Sequence, residues 1–106
     1  MFENLTPDQF VQMRVNGELW QLLDVREQWE IDTVGVSDSI HIPMNEITAR
    51  HAELDAAAPV AVLCHSGGRS ARVAAFLVDT GFARVANIDG GIDAWAQTVD
   101  RTLARY

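Results

Sequence analysis

The 106-residue chain contains no lysine and only one cysteine, and these two scarcities exclude whole classes of chemistry. Without lysine, the chain cannot form a Walker-type phosphate loop or a Schiff base, so pyridoxal chemistry is excluded. Because Cys64 has no second cysteine in the chain, neither an internal disulfide nor a two-cysteine redox motif is possible. This cysteine usage does not indicate secretion.

Long apolar runs and clustered positive charge are also missing. No run approaches the ~20 apolar residues that span a bilayer, and the first residues show neither a basic segment nor an apolar signal region. The formal net charge is −7, whereas nucleic-acid phosphates require clustered cations. We therefore predict a cytoplasmic protein that binds neither membranes nor nucleic acid.

The length and the apolar content fit one domain. With 48% hydrophobic residues, the chain can bury a core of modest size without disulfides or a metal. We therefore expect residues 1–106 to form a single domain. His41, His51, His65 and Cys64 show no metal-ligand spacing, so we expect neither a metal nor a cofactor.

Apolar strand-like runs alternate with segments of helical spacing. Thr6 and Pro7 predict the start of a first helix that stops at Asn16 and Gly17. Strands are predicted at residues 19–23, 39–42, 59–63 and 84–88, and further helices at residues 45–54 and 70–80. The segment between the first two of these strands is ambiguous. The alternation predicts an α/β fold with a parallel sheet and helices on both faces.

Four positions follow directly after the predicted strands, namely Asp24, Pro43, Cys64 and Asp89. In parallel sheets, ligands bind beyond the carboxyl ends of the strands. We therefore expect these four segments to meet at one rim of the sheet, where a functional site would lie.

The stretch Leu-Cys-His-Ser-Gly-Gly-Arg-Ser at residues 63–70 places the cysteine between a buried strand and a helix. Gly67 and Gly68 would let the loop turn so that its amides and the helix N-terminus face an anion. Such a setting, with Arg69 nearby, lowers the pKa of a thiol, and the thiolate is the nucleophile. Cys64 is therefore the candidate nucleophile, although a lone cysteine after a strand is commonly a small buried hydrophobe.

The neighbouring polar residues each have a functional and a structural interpretation. Arg69 offers a rigid set of donors to an oxyanion, or it is a solvated residue at the start of the helix. Ser70 is predicted to be the N-cap of that helix, and His65 to face solvent or substrate without acting as acid or base. Asp24 and Arg26 either do no more than pair with neighbouring groups at a strand end or support the site, with Asp24 accepting loop hydrogen bonds and Arg26 framing the pocket.

At these residues the sequence resembles the rhodanese family of sulfurtransferases, whose active loop reads cysteine, four residues, arginine, then serine or threonine. Cys64, Arg69 and Ser70 take these positions. The resemblance continues, in family order, at residues 23–27 with 29–30, at residues 40–43, and at residues 89–91 with 94–95. It implies a three-layer α/β/α rhodanese-like domain with a mostly parallel central sheet of four to five strands, and adds a short strand at residues 3–5.

The resemblance also implies a thiosulfate sulfurtransferase. Cys64 would take a sulfur atom from a small donor such as thiosulfate and pass it, as a persulfide, to cyanide or to a thiol acceptor, partner proteins included. The residues expected to bind the donor are those of the loop, His65, Ser66, Gly67, Gly68, Arg69 and Ser70, with Asp24 and Arg26 in support.

Two alternatives remain open. A cysteine-dependent phosphatase uses a similar anion-binding loop, but those enzymes resemble His-Cys with five residues before the arginine. Here Leu63 precedes Cys64 and only four residues intervene, so the smaller ring should not hold a phosphate. A non-catalytic binding or sensing module would keep the fold alone, and the retention of the complete loop weighs against it.

Overall fold

A computed structural model describes residues 1–106 and contains one sheet of five parallel strands. In chain order the strands are β1 (Glu3–Leu5), β2 (Gln21–Asp24), β3 (Ser39–His41), β4 (Val60–Leu63) and β5 (Val85–Ile88). Their order across the sheet is β1-β5-β4-β2-β3. The predictions of a parallel sheet and of a short first strand at residues 3–5 are both confirmed.

Five α-helices connect these strands or follow them. They are α1 (Pro7–Val15), α2 (Gln28–Thr33), α3 (Ile47–Arg50), α4 (Gly68–Thr80) and α5 (Gly91–Thr98). Short 3₁₀ turns at Met44–Glu46 and His51–Glu53 flank α3. None of these helices combines the length and the apolar character needed to cross a membrane.

Two hydrophobic cores, one on each face of the sheet, make the fold a three-layer α/β/α sandwich. In the central strand β4, Val60 and Val62 belong to the core that Leu77 of α4 also joins. Ala61 and Leu63 belong to the opposite core, with Phe10 of α1 and residues of α5. Because successive side chains of a strand point to opposite faces, an apolar run without alternation is what a strand covered on both faces requires.

Local sequence signals define several helix ends as predicted. The Thr6 hydroxyl accepts a hydrogen bond from the Gln9 amide, and the Gln9 side chain accepts one from the Thr6 amide. These two hydrogen bonds form a capping box before Pro7. At the other end of α4, Gly81 adopts φ +105°, the left-handed conformation that closes many helices.

Two predicted elements have different bounds in the structure. Strand β2 begins at Gln21 instead of residue 19, because Leu19 is exposed and pairing starts where Gln21 meets Val60. Residues 45–54 do not form one helix, since α3 has only four residues between its two 3₁₀ turns. The ambiguous segment after β2 contains the short helix α2.

Candidate active site

The carboxyl ends of the parallel strands bring the predicted site residues to one rim. Asp24, the last residue of β2, is in register with Leu63 of β4 on one side and with His41 of β3 on the other. Cys64 follows β4 directly, and Asp89 follows β5, which lies on the other side of β4. Cys64 is therefore next to both neighbouring strand ends.

The Cys64 sulfur lies inside a turn of backbone amides. The Gly67 amide donates to Cys64 Sγ over 3.1 Å, and Ser70 Oγ lies 3.3 Å from the same sulfur. Gly67 makes this turn possible, because its φ of +106° is a conformation that other residues rarely adopt. The thiol is almost fully buried, at 1% exposure, so any reactant must reach it through the mouth of this loop.

Two backbone hydrogen bonds join helix α5 to the cysteine loop. The Ile92 amide donates to the Cys64 carbonyl over 2.9 Å, and the Asp93 amide donates to the His65 carbonyl over 3.0 Å. Gly91 permits this approach, because a Cβ at that position would lie 2.4 Å from each of the two carbonyl oxygens. Because the carbonyls of Cys64 and His65 point to α5, the backbone amides of the residues that follow can face the sulfur.

These contacts change the acidity of the thiol. Burial raises the pKa of Cys64, but hydrogen bonds from the Ser70 hydroxyl and from the amides of Ser70, Gly67 and Ser66 outweigh it. The resulting pKa lies below the ordinary value of a thiol. The site therefore favours the thiolate, which is the nucleophilic form of cysteine.

Ser70 does not have the role that its sequence position predicts. The N-cap of α4 is Gly67, and the helix begins at Gly68, so the prediction of Ser70 as N-cap is wrong. The left-handed turn at Gly67 starts the helix early and places Ser70 inside the first turn, fully buried beside Cys64. Of the two glycines, only Gly67 needs its backbone freedom, because a Cβ on Gly68 would meet open space.

Arg69 is held by a carboxylate that sequence reasoning did not single out as a site residue. Its Nη1 and Nη2 atoms donate to Oε1 and Oε2 of Glu30 over 2.6 and 2.8 Å. This contact with Arg69 is the main cause that lowers the pKa of Glu30 to about 2. Arg69 therefore joins α4 to α2, and its part in binding a donor stays a prediction.

Asp24 and Arg26 form a closed ion pair at the end of β2. Both side chains are fully buried, with Arg26 Nη2 lying 2.8 Å from Asp24 Oδ2. The hydrogen bonds that Asp24 accepts through its side chain come from Arg26 alone, and none joins it to the cysteine loop. Arg26 also donates to the carbonyl of Val34, so the pair joins the end of β2 to the end of α2.

Tyr106 covers one side of the loop, and sequence reasoning missed it. Its ring stacks on His65 with centroids 4.2 Å apart and planes at 13°. Its hydroxyl donates to Glu30 Oε2 over 2.7 Å and accepts from Arg26 Nη1 over 2.9 Å. A tyrosine beyond the last helix carries no motif, so only the folded arrangement reveals its contacts with residues 41, 76 and 80 positions earlier.

The model of the rhodanese-like domain family matches residues 6–98. The chain belongs to this family. The architecture agrees, since a rhodanese-like domain protein of Staphylococcus aureus is 25% identical and superposes with a TM-score of 0.84 over 99% of both chains.

Two relatives of the chain are named as sulfurtransferases. The thiosulfate sulfurtransferase GlpE of Pseudomonas syringae pv. syringae is 33% identical over 92% of this chain and 90% of its own length. A sulfurtransferase of Allochromatium vinosum is 38% identical over 72% of this chain and 71% of its own length. The chain is therefore an enzyme of the rhodanese type, as the resemblance of its motifs predicts.

Proposed function

We propose that the chain transfers a sulfane sulfur through a persulfide on Cys64. The observation that carries this proposal is the buried sulfur, which several hydrogen-bond donors face and whose pKa lies below its ordinary value. A nucleophile of this kind suits a double-displacement reaction, in which the enzyme carries the transferred group between two half-reactions.

In the first half-reaction, the Cys64 thiolate attacks the outer sulfur of thiosulfate or a similar donor. A bond forms between the two sulfurs, the donor's own S–S bond breaks, and sulfite leaves with the bonding electron pair. In the second, cyanide or the thiolate of an acceptor attacks the terminal sulfur, which restores the Cys64 thiolate and yields thiocyanate or an acceptor persulfide. No metal or cofactor takes part in either step.

The loop residues would supply the charge stabilisation for both steps. The amides of residues 66–70 bind the sulfonate oxygens of the donor and then the negatively charged outer sulfur of the persulfide. Arg69 keeps one N–H on each terminal nitrogen beyond its contacts with Glu30, and these add positive charge at the mouth. His65 and Tyr106 form a wall of that mouth.

The acceptor must come from outside the chain. Cys64 is the only cysteine, so no second thiol in residues 1–106 can attack the persulfide. The chain would act as one rhodanese-like domain that delivers sulfur to a small thiol or to a cysteine of a partner protein.

Intact-protein mass spectrometry after incubation with thiosulfate tests the proposal. We expect the mass to rise by one sulfur atom, to return to its initial value when cyanide is added, and to stay unchanged in Cys64→Ser. Far-UV circular dichroism checks that this variant is folded. Hydrolysis of an aryl phosphate that is lost in Cys64→Ser, without any sulfur gain by the unmodified chain, would instead favour the phosphatase.

A further inference from the structure

Four side chains form a continuous hydrogen-bonded row that starts at the reactive sulfur. Ser70 Oγ lies 3.3 Å from Cys64 Sγ and donates to Oδ1 of Asn87 on β5. Asn87 Nδ2 donates in turn to Asn4 Oδ1 over 3.2 Å. Ser70 and Asn87 are buried, whereas Asn4 lies at the surface on β1. The row thus runs from the thiol across two strands to solvent.

The single hydrogen of the Ser70 hydroxyl gives this row a direction. In the structure the Ser70 hydroxyl donates to Asn87 Oδ1. This arrangement suits a neutral Cys64, because its S–H can then donate to Ser70 Oγ. Once Cys64 is a thiolate, the sulfur only accepts, and the Ser70 hydrogen must turn towards it. The Ser70 oxygen then faces Asn87 with its lone pairs.

A carboxamide can satisfy both arrangements. If Asn87 rotates by half a turn, Nδ2 replaces Oδ1 and donates to the Ser70 oxygen, because the two ends of the amide have nearly the same shape. Asn4 is exposed and can turn its own amide to match. A carboxylate of the same shape could only accept from Ser70, and an apolar side chain could do neither.

We propose that Asn87 is a positioning residue that acts on Cys64 through Ser70, by reversing its amide when the thiol loses its proton. In the thiolate state it keeps the Ser70 hydroxyl directed at the sulfur. The inference rests on the proposed function only in assigning the thiolate a chemical use, because the reversal itself depends on the proton alone.

Several charged or titratable groups surround the same rim. Arg69 of α4 attracts the Cys64 thiolate, and Glu30 of α2 offsets that charge. The others are the Asp24–Arg26 pair at the end of β2, His65 and Tyr106 at the mouth, Asp89 after β5, and Asp93 on α5. A substitution at Asn87 leaves all of them in place, so they contribute alike to every variant compared.

The rate of iodoacetamide alkylation of Cys64 against pH tests the proposal without any sulfur donor. Asn87→Asp holds the Ser70 hydrogen on its carboxylate and should raise the midpoint by about one pH unit. Part of that rise comes from the new charge acting directly on the sulfur. Ser70→Ala provides the matched background, in which the same Asn87→Asp change should produce less than half the rise.

Equal rises in the two backgrounds would overturn the proposal, because the carboxylate would then act by charge alone. No rise in either background would also overturn it. Should Asn87→Asp fail to fold, NMR of the unmodified chain decides: the Asn87 side-chain amide signals should titrate with the alkylation midpoint and stay constant in Ser70→Ala. A failure of sulfur transfer affects neither measurement, so the two proposals fail independently.

Discussion

The acidity of Cys64 depends on a few atoms that face its sulfur, because the side chain is closed off from bulk water. Desolvation alone would keep this thiol neutral. The donors that reverse the balance are three amides and one hydroxyl, and only the hydroxyl of Ser70 belongs to a side chain. Ser70 is thus the one donor of this set that a substitution can remove while the backbone stays intact.

Ser70→Ala should raise the pKa of Cys64, which in the unmodified chain lies below the ordinary value of a thiol. A hydrogen bond to a charged group contributes about 1.5 to 3 kcal/mol, so the expected rise is about one pH unit or more. The pH dependence of iodoacetamide alkylation measures it, with the exposed Ser37→Ala as the matched control. An unchanged midpoint in Ser70→Ala, or an equal rise in Ser37→Ala, would contradict the prediction.

The two adjacent glycines of the loop should respond differently to alanine. Gly67→Ala forces a side chain into φ +106° and should lower the free energy of unfolding by about 1 to 3 kcal/mol. Gly68→Ala should change it by less than ~1 kcal/mol, because a Cβ there meets open space in an ordinary helical turn. Urea unfolding of both variants measures the difference, and equal losses would show that the loop is built differently.

Sequence reasoning locates the loop residues but not all of their roles. Cys64 and Gly67 are predictable, since a strand, a glycine turn and a helix follow one another locally. The role of Ser70 is not, because it depends on which glycine takes the left-handed conformation. The Glu30 contact with Arg69 joins residues 39 positions apart and has no local pattern that predicts it.

At the scale of the elements, local sequence signals predict the ends of helices well, whereas the start of a strand depends on its partner strand. The capping box at Thr6 and the left-handed Gly81 are short-range features, so the ends they define agree with the sequence. The start of β2 depends on pairing with β4 across the chain, and propensity alone extends the strand by two residues. Tertiary pairing decides such ends.

Helix α2 is only six residues long, and Glu30 connects it to α4. The lowered pKa of Glu30, caused first by Arg69, means that this carboxylate contributes stability above its ordinary pKa near 4.5. The contribution is lost as the pH falls towards the folded-state value of about 2. Acid should therefore weaken the attachment of α2 to α4.

Glu30→Gln should lower the free energy of unfolding at pH 7 by up to about 3 kcal/mol and should make no difference below pH ~2. Urea unfolding of both proteins between these pH values measures the difference in their free energies of unfolding. Glu46→Gln is the matched control, because Glu46 forms an exposed pair with Arg50 that contributes about 0 to 1 kcal/mol. A difference in free energy that stays constant with pH would show that Glu30 stabilises the fold without its charge.

At the scale of the whole molecule, the strand order explains why the nucleophile follows β4. From β2 the chain continues to the edge strand β3, whereas from β4 it continues to β5 on the opposite side. Helical connections therefore leave these two neighbouring strands in opposite directions, and a crevice opens between their carboxyl ends. Cys64 and Asp24 lie at that point. The alternation of elements predicts a rim, but not which strands are neighbours.

The contacts of Tyr106 bring the last residues of the chain back to this crevice, so the final prediction concerns its hydroxyl. Tyr106→Phe keeps the ring on His65 but leaves Arg26 and Glu30 without their shared partner. We expect the free energy of unfolding to fall by about 1.5 to 3 kcal/mol, the contribution of hydrogen bonds to charged groups. Urea unfolding of both proteins measures the change. A change below ~0.5 kcal/mol would show that the hydroxyl does not hold these two side chains together in solution.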